Sequence, residues 1–100
     1  MGDMFNPPHP GAVLKDGVFS EGTHTIAGFA AHIGMSRVAL SRVLNGHAAI
    51  GADLAHWLAA ALGGSAETWL RMQSAYDLWQ LGQVNKVQYR KIKPLAVASV

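Results

Sequence analysis

The side chains best suited to chemistry in this chain are two arginines, Arg37 and Arg42, which lie in a segment without acidic residues. Between Gly22 and Ala52 there is no Asp or Glu, so no carboxylate opposes their positive charge. A guanidinium group pairs bidentately with guanine or clamps a phosphate, and phosphate binding needs a local cationic surface. This separation of the arginines from the acidic residues is more informative than the net charge of +2. The arginines therefore predict a contact with nucleic acid, provided that one element presents both of them.

The sequence around the arginines predicts two short helices joined by a tight turn, a helix-turn-helix. Residues 29–46 read FAAHIGMSRVALSRVLNG. Gly34 can take the positive φ that ends the first helix, and Ser36 can cap the second by accepting a hydrogen bond from a free backbone N–H group. Met35 is expected to fill the turn, and the residues at helical spacing that we expect to face the core are Phe29, Ala30, Ile33, Leu40, Val43 and Leu44.

The opposite face of the second helix carries Arg37, Val38, Ser41 and Arg42. When the start of a helix lies in the major groove, arginine can contact guanine or phosphate, serine a base or a phosphate, and valine a thymine methyl group. An ordinary helical hairpin would show the same apolar pattern. The absence of acids around the arginines favours DNA binding.

Cap and turn signals predict five helices, at about residues 10–19, 26–33, 37–44, 53–62 and 66–81. Pro10 begins the first and Thr25 is the expected N-cap of the second. The later helices are bounded by Asn45-Gly46, by Gly63-Gly64 and by Gly82. Gly28, inside the second helix, should weaken it by about 0.5 to 1 kcal/mol relative to alanine.

Length and composition indicate one small domain of 100 residues without cysteine. Disulfides and cysteine-type zinc sites are therefore excluded, which suits the reducing cytoplasm. No secretion signal or membrane-spanning segment is expected. The core is expected to form around Phe29, Trp57, Leu58, Leu62 and Trp69.

Three blocks of the chain resemble the HigA antitoxins. They are Phe5-Asn6-Pro7-Pro8-His9-Pro10-Gly11, the block from Gly34 to Gly46, and Trp69-Leu70-Arg71-Met72-Gln73 with Ala75-Tyr76-Asp77-Leu78-Trp79. The middle block is shared with the wider family of phage-repressor-like regulators, whereas the proline-rich lead and the tryptophan-containing fifth helix are more particular to HigA. The resemblance covers residues 4 to 81, approximately.

This resemblance implies an all-α, five-helix, lambda-repressor-like DNA-binding domain with a helix-turn-helix. Such a protein dimerises, represses its own operon by binding operator double-stranded DNA, and neutralises a HigB-like ribonuclease toxin, to which the catalysis belongs. The DNA-contacting positions that it implies are Thr25, Ser36, Arg37, Val38, Ser41, Arg42 and Asn45.

The fifth helix predicts a subunit interface in addition to core packing. Its apolar residues cover more than one side, and a five-helix domain can cover only one. We therefore expect a homodimer through this helix, with an interface that includes Trp69, Met72, Tyr76 and Trp79. The two recognition helices of such a dimer would lie about 34 Å apart, matching a palindromic operator.

Residues 1–82 are expected to form the DNA-binding domain and residues 83–100 a basic tail. The tail carries Lys86, Arg90, Lys91 and Lys93 without an acid. It would suit an arm that touches DNA, a segment that binds the toxin or a disordered end, and its composition favours disorder.

The sequence predicts no catalytic residue, no metal ligand and no cofactor. The five histidines, His9, His24, His32, His47 and His56, include no pair at i and i+4, and neither a nucleophile elbow nor a phosphate-binding loop is present. Two alternatives stay open at this point: a stand-alone transcriptional repressor without a toxin, and an interaction protein whose helix-turn-helix has lost DNA binding.

Overall fold

The computed structural model describes residues 6–98, which form helices and connecting loops without a β-strand. Phe5, the first residue of the proline-rich lead, lies outside the described residues. The helices are α1 (Pro10–Leu14), α2 (Ile26–Ile33), α3 (Arg37–Leu44), α4 (Ala52–Leu62), α5 (Ala66–Val84) and α6 (Lys86–Arg90). A π-helical turn, Lys15–Phe19, continues α1 to the predicted end of the first helix. The predicted all-α fold is confirmed.

Short polar side chains begin the helices at the predicted positions. The hydroxyl oxygens of Thr25, Ser36 and Ser65 accept hydrogen bonds from the backbone N–H groups of Gly28, Ala39 and Thr68, at 3.0, 3.0 and 3.2 Å. Each of these bonds satisfies a donor that has no partner inside its helix. The starts of α2, α3 and α5 are thus determined by local sequence.

His9 caps α1, a role that the sequence did not reveal. Its ring Nδ1 accepts a hydrogen bond from the N–H of Gly11 at 2.9 Å, and Pro10 fills the first helical position. Burial lowers the pKa of His9, although Asp77 and a hydrogen bond to the backbone of Ala48 act in the opposite direction. The lowered pKa favours the neutral ring, the form in which Nδ1 can accept.

The core lies between α1 and the next four helices. Its buried apolar residues are Leu14, Phe29, Ala30, Leu40, Val43, Leu44, Ile50, Leu54, Ala55, Leu58 and Ala66. Phe29 and Leu58 are buried as predicted, and Trp69 is half-buried against the core. The prediction was wrong for Trp57 and Leu62, which are 41% and 44% exposed, because α4 turns Leu54, Ala55 and Leu58 inward.

The fifth helix is longer than predicted, and the tail begins with a sixth. Gly82 does not end α5, which continues to Val84, and its φ is not positive. A glycine inside a helix costs only about 1 kcal/mol, so tertiary context readily overrides it. Residues 86–90 form α6, so the disorder expected for the tail was wrong there; residues 91–98 contain no helix or strand.

The described chain is elongated, and the end of α5 carries exposed apolar residues. The described chain measures 53 × 26 × 25 Å and has a radius of gyration of 16.8 Å, whereas a compact domain of this length has about 13 Å. Leu78, Leu81 and Val84 are exposed in the last two turns of α5. None of the helices within residues 6–98 combines the length and hydropathy needed to cross a bilayer.

Candidate nucleic-acid interface

Helices α2 and α3 form the predicted helix-turn-helix, and the turn between them is closed by two backbone hydrogen bonds. Gly34 has φ +83° and ψ 27°, the left-handed conformation that favours glycine. Its N–H donates to the carbonyl of Ala31 at 3.3 Å, and the N–H of Met35 donates to the carbonyl of Ala30 at 2.9 Å. These two bonds make a Schellman motif, so the residues of the turn fix the angle at which the chain enters α3.

The outward face of α3 presents most of the residues predicted to contact DNA. Arg37 and Arg42 are exposed, Ser41 is half-buried, and Val38 is 69% exposed although it is apolar. Residues four positions apart are neighbours on a helix surface, so Arg37 lies beside Ser41 and Val38 beside Arg42. The opposite face, with Leu40, Val43 and Leu44, is buried. One rigid helix therefore brings together the four side chains singled out by the sequence.

The two arginines lie in different environments. Arg37 is the first residue of α3, beside the Ser36 cap. Arg42 lies in the last turn, where its Nη2 donates a hydrogen bond to the carbonyl of His47 at 3.0 Å. Guanidinium groups carry five N–H donors, so Arg42 keeps donors for a further partner while its position is restrained. Sequence reasoning treated the two arginines as equivalent and missed this restraint.

The end of α3 is fixed by a second Schellman motif. Gly46 has φ +77°, its N–H donates to the carbonyl of Val43 at 3.1 Å, and the N–H of His47 donates to the carbonyl of Arg42 at 2.8 Å. Asn45 is exposed at the C-cap, and its amide lies 3.4 Å from the Ser41 hydroxyl. Two of the residues predicted to contact DNA thus hold each other in place.

Thr25 lies at the start of α2, apart from the residues of α3. Its hydroxyl accepts the capping bond from Gly28, and the side chain is exposed. Backbone N–H groups at helix N-termini attract phosphates, and the starts of α2 and α3 both carry such groups. This geometry suits a backbone contact at Thr25 and base contacts along α3.

An open groove lies beside α2. It has a volume of about 710 Å³ and is lined by the π-helical turn, residues 21–25, α2 and the end of α4, including Val18, Glu21, His24, Phe29, His32 and Leu62. In residues 6–98 no group of three or more His, Cys, Asp or Glu side chains is placed to hold a metal ion. The groove lacks the enclosure of a typical small-molecule site, so the face of α3 is the stronger candidate.

Proteins of known sequence and structure resemble this chain over most of its length. Virulence-associated protein A' of Dichelobacter nodosus is 40% identical over 81 residues, which make up 80% of this chain and 70% of that protein. Antitoxin HigA-1 of Vibrio cholerae serotype O1 is 34% identical over 92 residues, 92% of this chain and 87% of that protein. The structure of the Pseudomonas aeruginosa antitoxin HigA with the higBA promoter matches with a TM-score of 0.82 and 30% identity, and covers 90% of this chain and 99% of that one. No protein-family model matches the chain.

Proposed function

Because this chain belongs to the HigA family of antitoxins, we propose that it binds operator DNA as a dimer, represses its own operon and neutralises a HigB-like ribonuclease toxin. The observation that carries the proposal is the outward face of α3, where exposed Arg37 and Arg42 flank an exposed Val38 in a segment without acids. An apolar side chain exposed between two cations has no use in packing the domain. It suits the major groove, where the thymine methyl groups lie.

We assign DNA contacts to seven residues according to where each lies. Arg37, Val38 and Ser41 face outward from the first two turns of α3 and read base edges, with Ser36 at the cap. Arg42 and Asn45, at the C-terminal end of α3, contact phosphates or bases beside them. Thr25, at the start of α2, contacts the phosphate backbone. The basic residues on and after α6 are exposed and add to the positive charge of the chain.

The proposed role requires binding and no catalysis by this chain. The ribonuclease activity belongs to the toxin, and the place of action is the cytoplasm, where operator DNA and ribosomes are found. The toxin is sought in the reading frame next to the gene for this chain. If the product of that frame cleaves RNA in a ribosome-dependent assay, an equimolar amount of this chain should abolish the cleavage.

The proposed DNA binding is tested by titrating the purified protein into duplex DNA from upstream of its own gene and into a scrambled duplex. Measurements at about 50 and 200 mM salt separate the two kinds of contact, because phosphate contacts lose affinity steeply with salt. Tighter binding to the upstream duplex at both concentrations, together with a steep salt dependence, supports the repressor. Equal, weak binding to both duplexes contradicts it.

The proposed dimer uses the end of α5, and we revise the residues at its centre on the basis of their exposure. The four side chains named from the sequence, Trp69, Met72, Tyr76 and Trp79, are half-buried within the protomer, and the Tyr76 ring packs against His9. In contrast, Leu78 and Leu81 are 74% and 53% exposed, and Val84 continues their face. We therefore centre the interface on these three residues, with the half-buried aromatics at its margin.

Replacing both leucines, Leu78→Glu with Leu81→Glu, should convert a dimer into a folded monomer. In a two-fold interface both protomers contribute each leucine, so every substitution removes two buried apolar side chains, and charged residues cannot replace that burial. We expect the dimer to weaken by at least about 100-fold, or about 3 kcal/mol. Sedimentation at micromolar concentration measures the change, and Leu62→Glu on α4 is the matched control because Leu62 is also exposed. A monomeric mass for the unchanged protein would contradict the interface.

A further inference from the structure

Gln73 connects α5 to the loop that follows α3, the recognition helix of the helix-turn-helix. It is the only buried polar side chain in residues 6–98, with 6% of its surface exposed. Its Oε1 accepts a hydrogen bond from the backbone N–H of Ile50 at 2.8 Å, across 23 positions of sequence. Ile50 lies in the α3–α4 loop, residues 45–51, and is itself buried. The loop therefore cannot move away from α5 without leaving a buried N–H group unpaired.

Asp77 orients the Gln73 amide for this contact. The Nε2 of Gln73 donates to Oδ1 of Asp77 at 2.9 Å, one helical turn further along α5. A carboxylate accepts and a backbone N–H donates, so the two partners require opposite ends of the amide. With Nε2 held by Asp77, Oε1 points to Ile50. The pair acts as one unit, in which the carboxylate selects the orientation of the amide.

His9 makes a second tie to the same loop. Its ring packs edge-on against Tyr76 of α5, with centroids 4.8 Å apart, and lies near the backbone of Ala48. A Cβ atom on Gly46 would lie 3.8 Å from the ring. The loop is thus bonded to α5 at Ile50, and the His9 ring lies beside its first residues, immediately after the last turn of α3. Both ties lead to the same stretch of α5.

We propose that Gln73, with Asp77 and His9, is a positioning residue that sets the spacing at which the dimer reads its operator. This inference rests on the proposed function, because it requires α3 to read DNA and α5 to form the dimer. One base pair added between the half-sites moves one of them by about 3.4 Å along the duplex and rotates it by about 35°, so small changes in the placement of each α3 decide which spacing fits. A loop held by buried hydrogen bonds resists such a shift, whereas a loop without them yields to it.

The test compares operators that differ only in the spacing between half-sites. The probe is the duplex that the protein protects upstream of its own gene, with one base pair removed from or added to its centre. The unchanged protein should prefer the natural spacing by at least about tenfold, because a displaced half-site loses base contacts. Gln73→Leu, which removes both hydrogen bonds at similar volume, should reduce this preference to within about threefold. Gln88→Leu on the exposed surface of α6 is the matched control and should keep the preference.

A purely structural role for Gln73 gives a different result. In that case Gln73→Leu lowers the affinity for all three duplexes in parallel, the preference stays at its original value, and the proposal is overturned. A second pair of variants covers the possibility that Gln73→Leu unfolds. Gln73→Glu places a carboxylate against Asp77 and should lose the preference, while adding Asp77→Asn reverses the hydrogen bond and should restore it. Failure of that rescue in a folded protein also overturns the proposal, and failure of the unchanged protein to select its operator overturns the proposed function instead.

Discussion

Replacing Arg37 by alanine should weaken binding to the operator by about 1 to 3 kcal/mol, or about 5- to 150-fold, while binding to a scrambled duplex changes little. Arg37 is the first residue of α3 and is exposed. The N-terminal residues of a recognition helix reach the base edges, and a bidentate arginine distinguishes guanine from the other bases. Most of the expected loss therefore falls on the specific complex, which a titration against both duplexes measures directly.

Two variants make this result interpretable. Arg71→Ala removes the same charge from an exposed position on α5 and should leave the preference for the operator unchanged. Arg42→Ala removes a guanidinium that is already bonded to the carbonyl of His47. Since that restraint suits a phosphate contact, the loss of the Arg42 side chain should weaken binding to both duplexes by the same factor. It should also lower the slope of log affinity against log salt concentration by about 1. Equal losses on both duplexes for Arg37→Ala would show that Arg37 does not read bases.

The parts of the fold that sequence predicted best are those governed by local chemistry. The bounds of α2 and α3 agree with prediction because Thr25 and Ser36 cap their own helices and Gly34 ends the first of them. Each of these signals acts over three or four residues, so no knowledge of the tertiary structure is needed to interpret it. The outward face of α3 followed for the same reason, since helical spacing fixes which residues share a side.

Features that depend on contacts distant in sequence were missed. Trp57 was expected in the core, but α4 presents small and aliphatic residues inward and leaves Trp57 41% exposed. Gln73 belongs to a block that resembles HigA, but nothing in the sequence indicated its bond to Ile50. Gly28 was interpreted as a weakness in α2. In the structure, a Cβ there would lie 2.9 Å from the Thr25 hydroxyl oxygen, so the glycine keeps the cap undisturbed.

The second large effect is expected at Gly11, where α1 crosses the recognition helix. Gly11 is buried, and its N–H is bonded to the ring of His9. A Cβ built on Gly11 would lie 1.9 Å from the carbonyl oxygen of Val43 and 2.8 Å from its carbonyl carbon. Both atoms belong to the backbone of α3, so a rotamer change cannot relieve the clash. Only a displacement of α1 from α3 by more than about 1 Å would make room for a methyl group.

Gly11→Ala should therefore destabilise the protein by about 3 kcal/mol and lower its Tm by about 10 to 20 °C. Because the displaced contact lies on α3, operator affinity should also fall at temperatures where the variant is still folded. Gly17→Ala is the matched control: a Cβ at Gly17 meets no atom within 4 Å, so this variant should be neutral or slightly more stable. Urea and thermal unfolding of both variants give the comparison. If Gly11→Ala unfolds within about 0.5 kcal/mol of the unchanged protein, α1 does not hold α3 by close backbone contact.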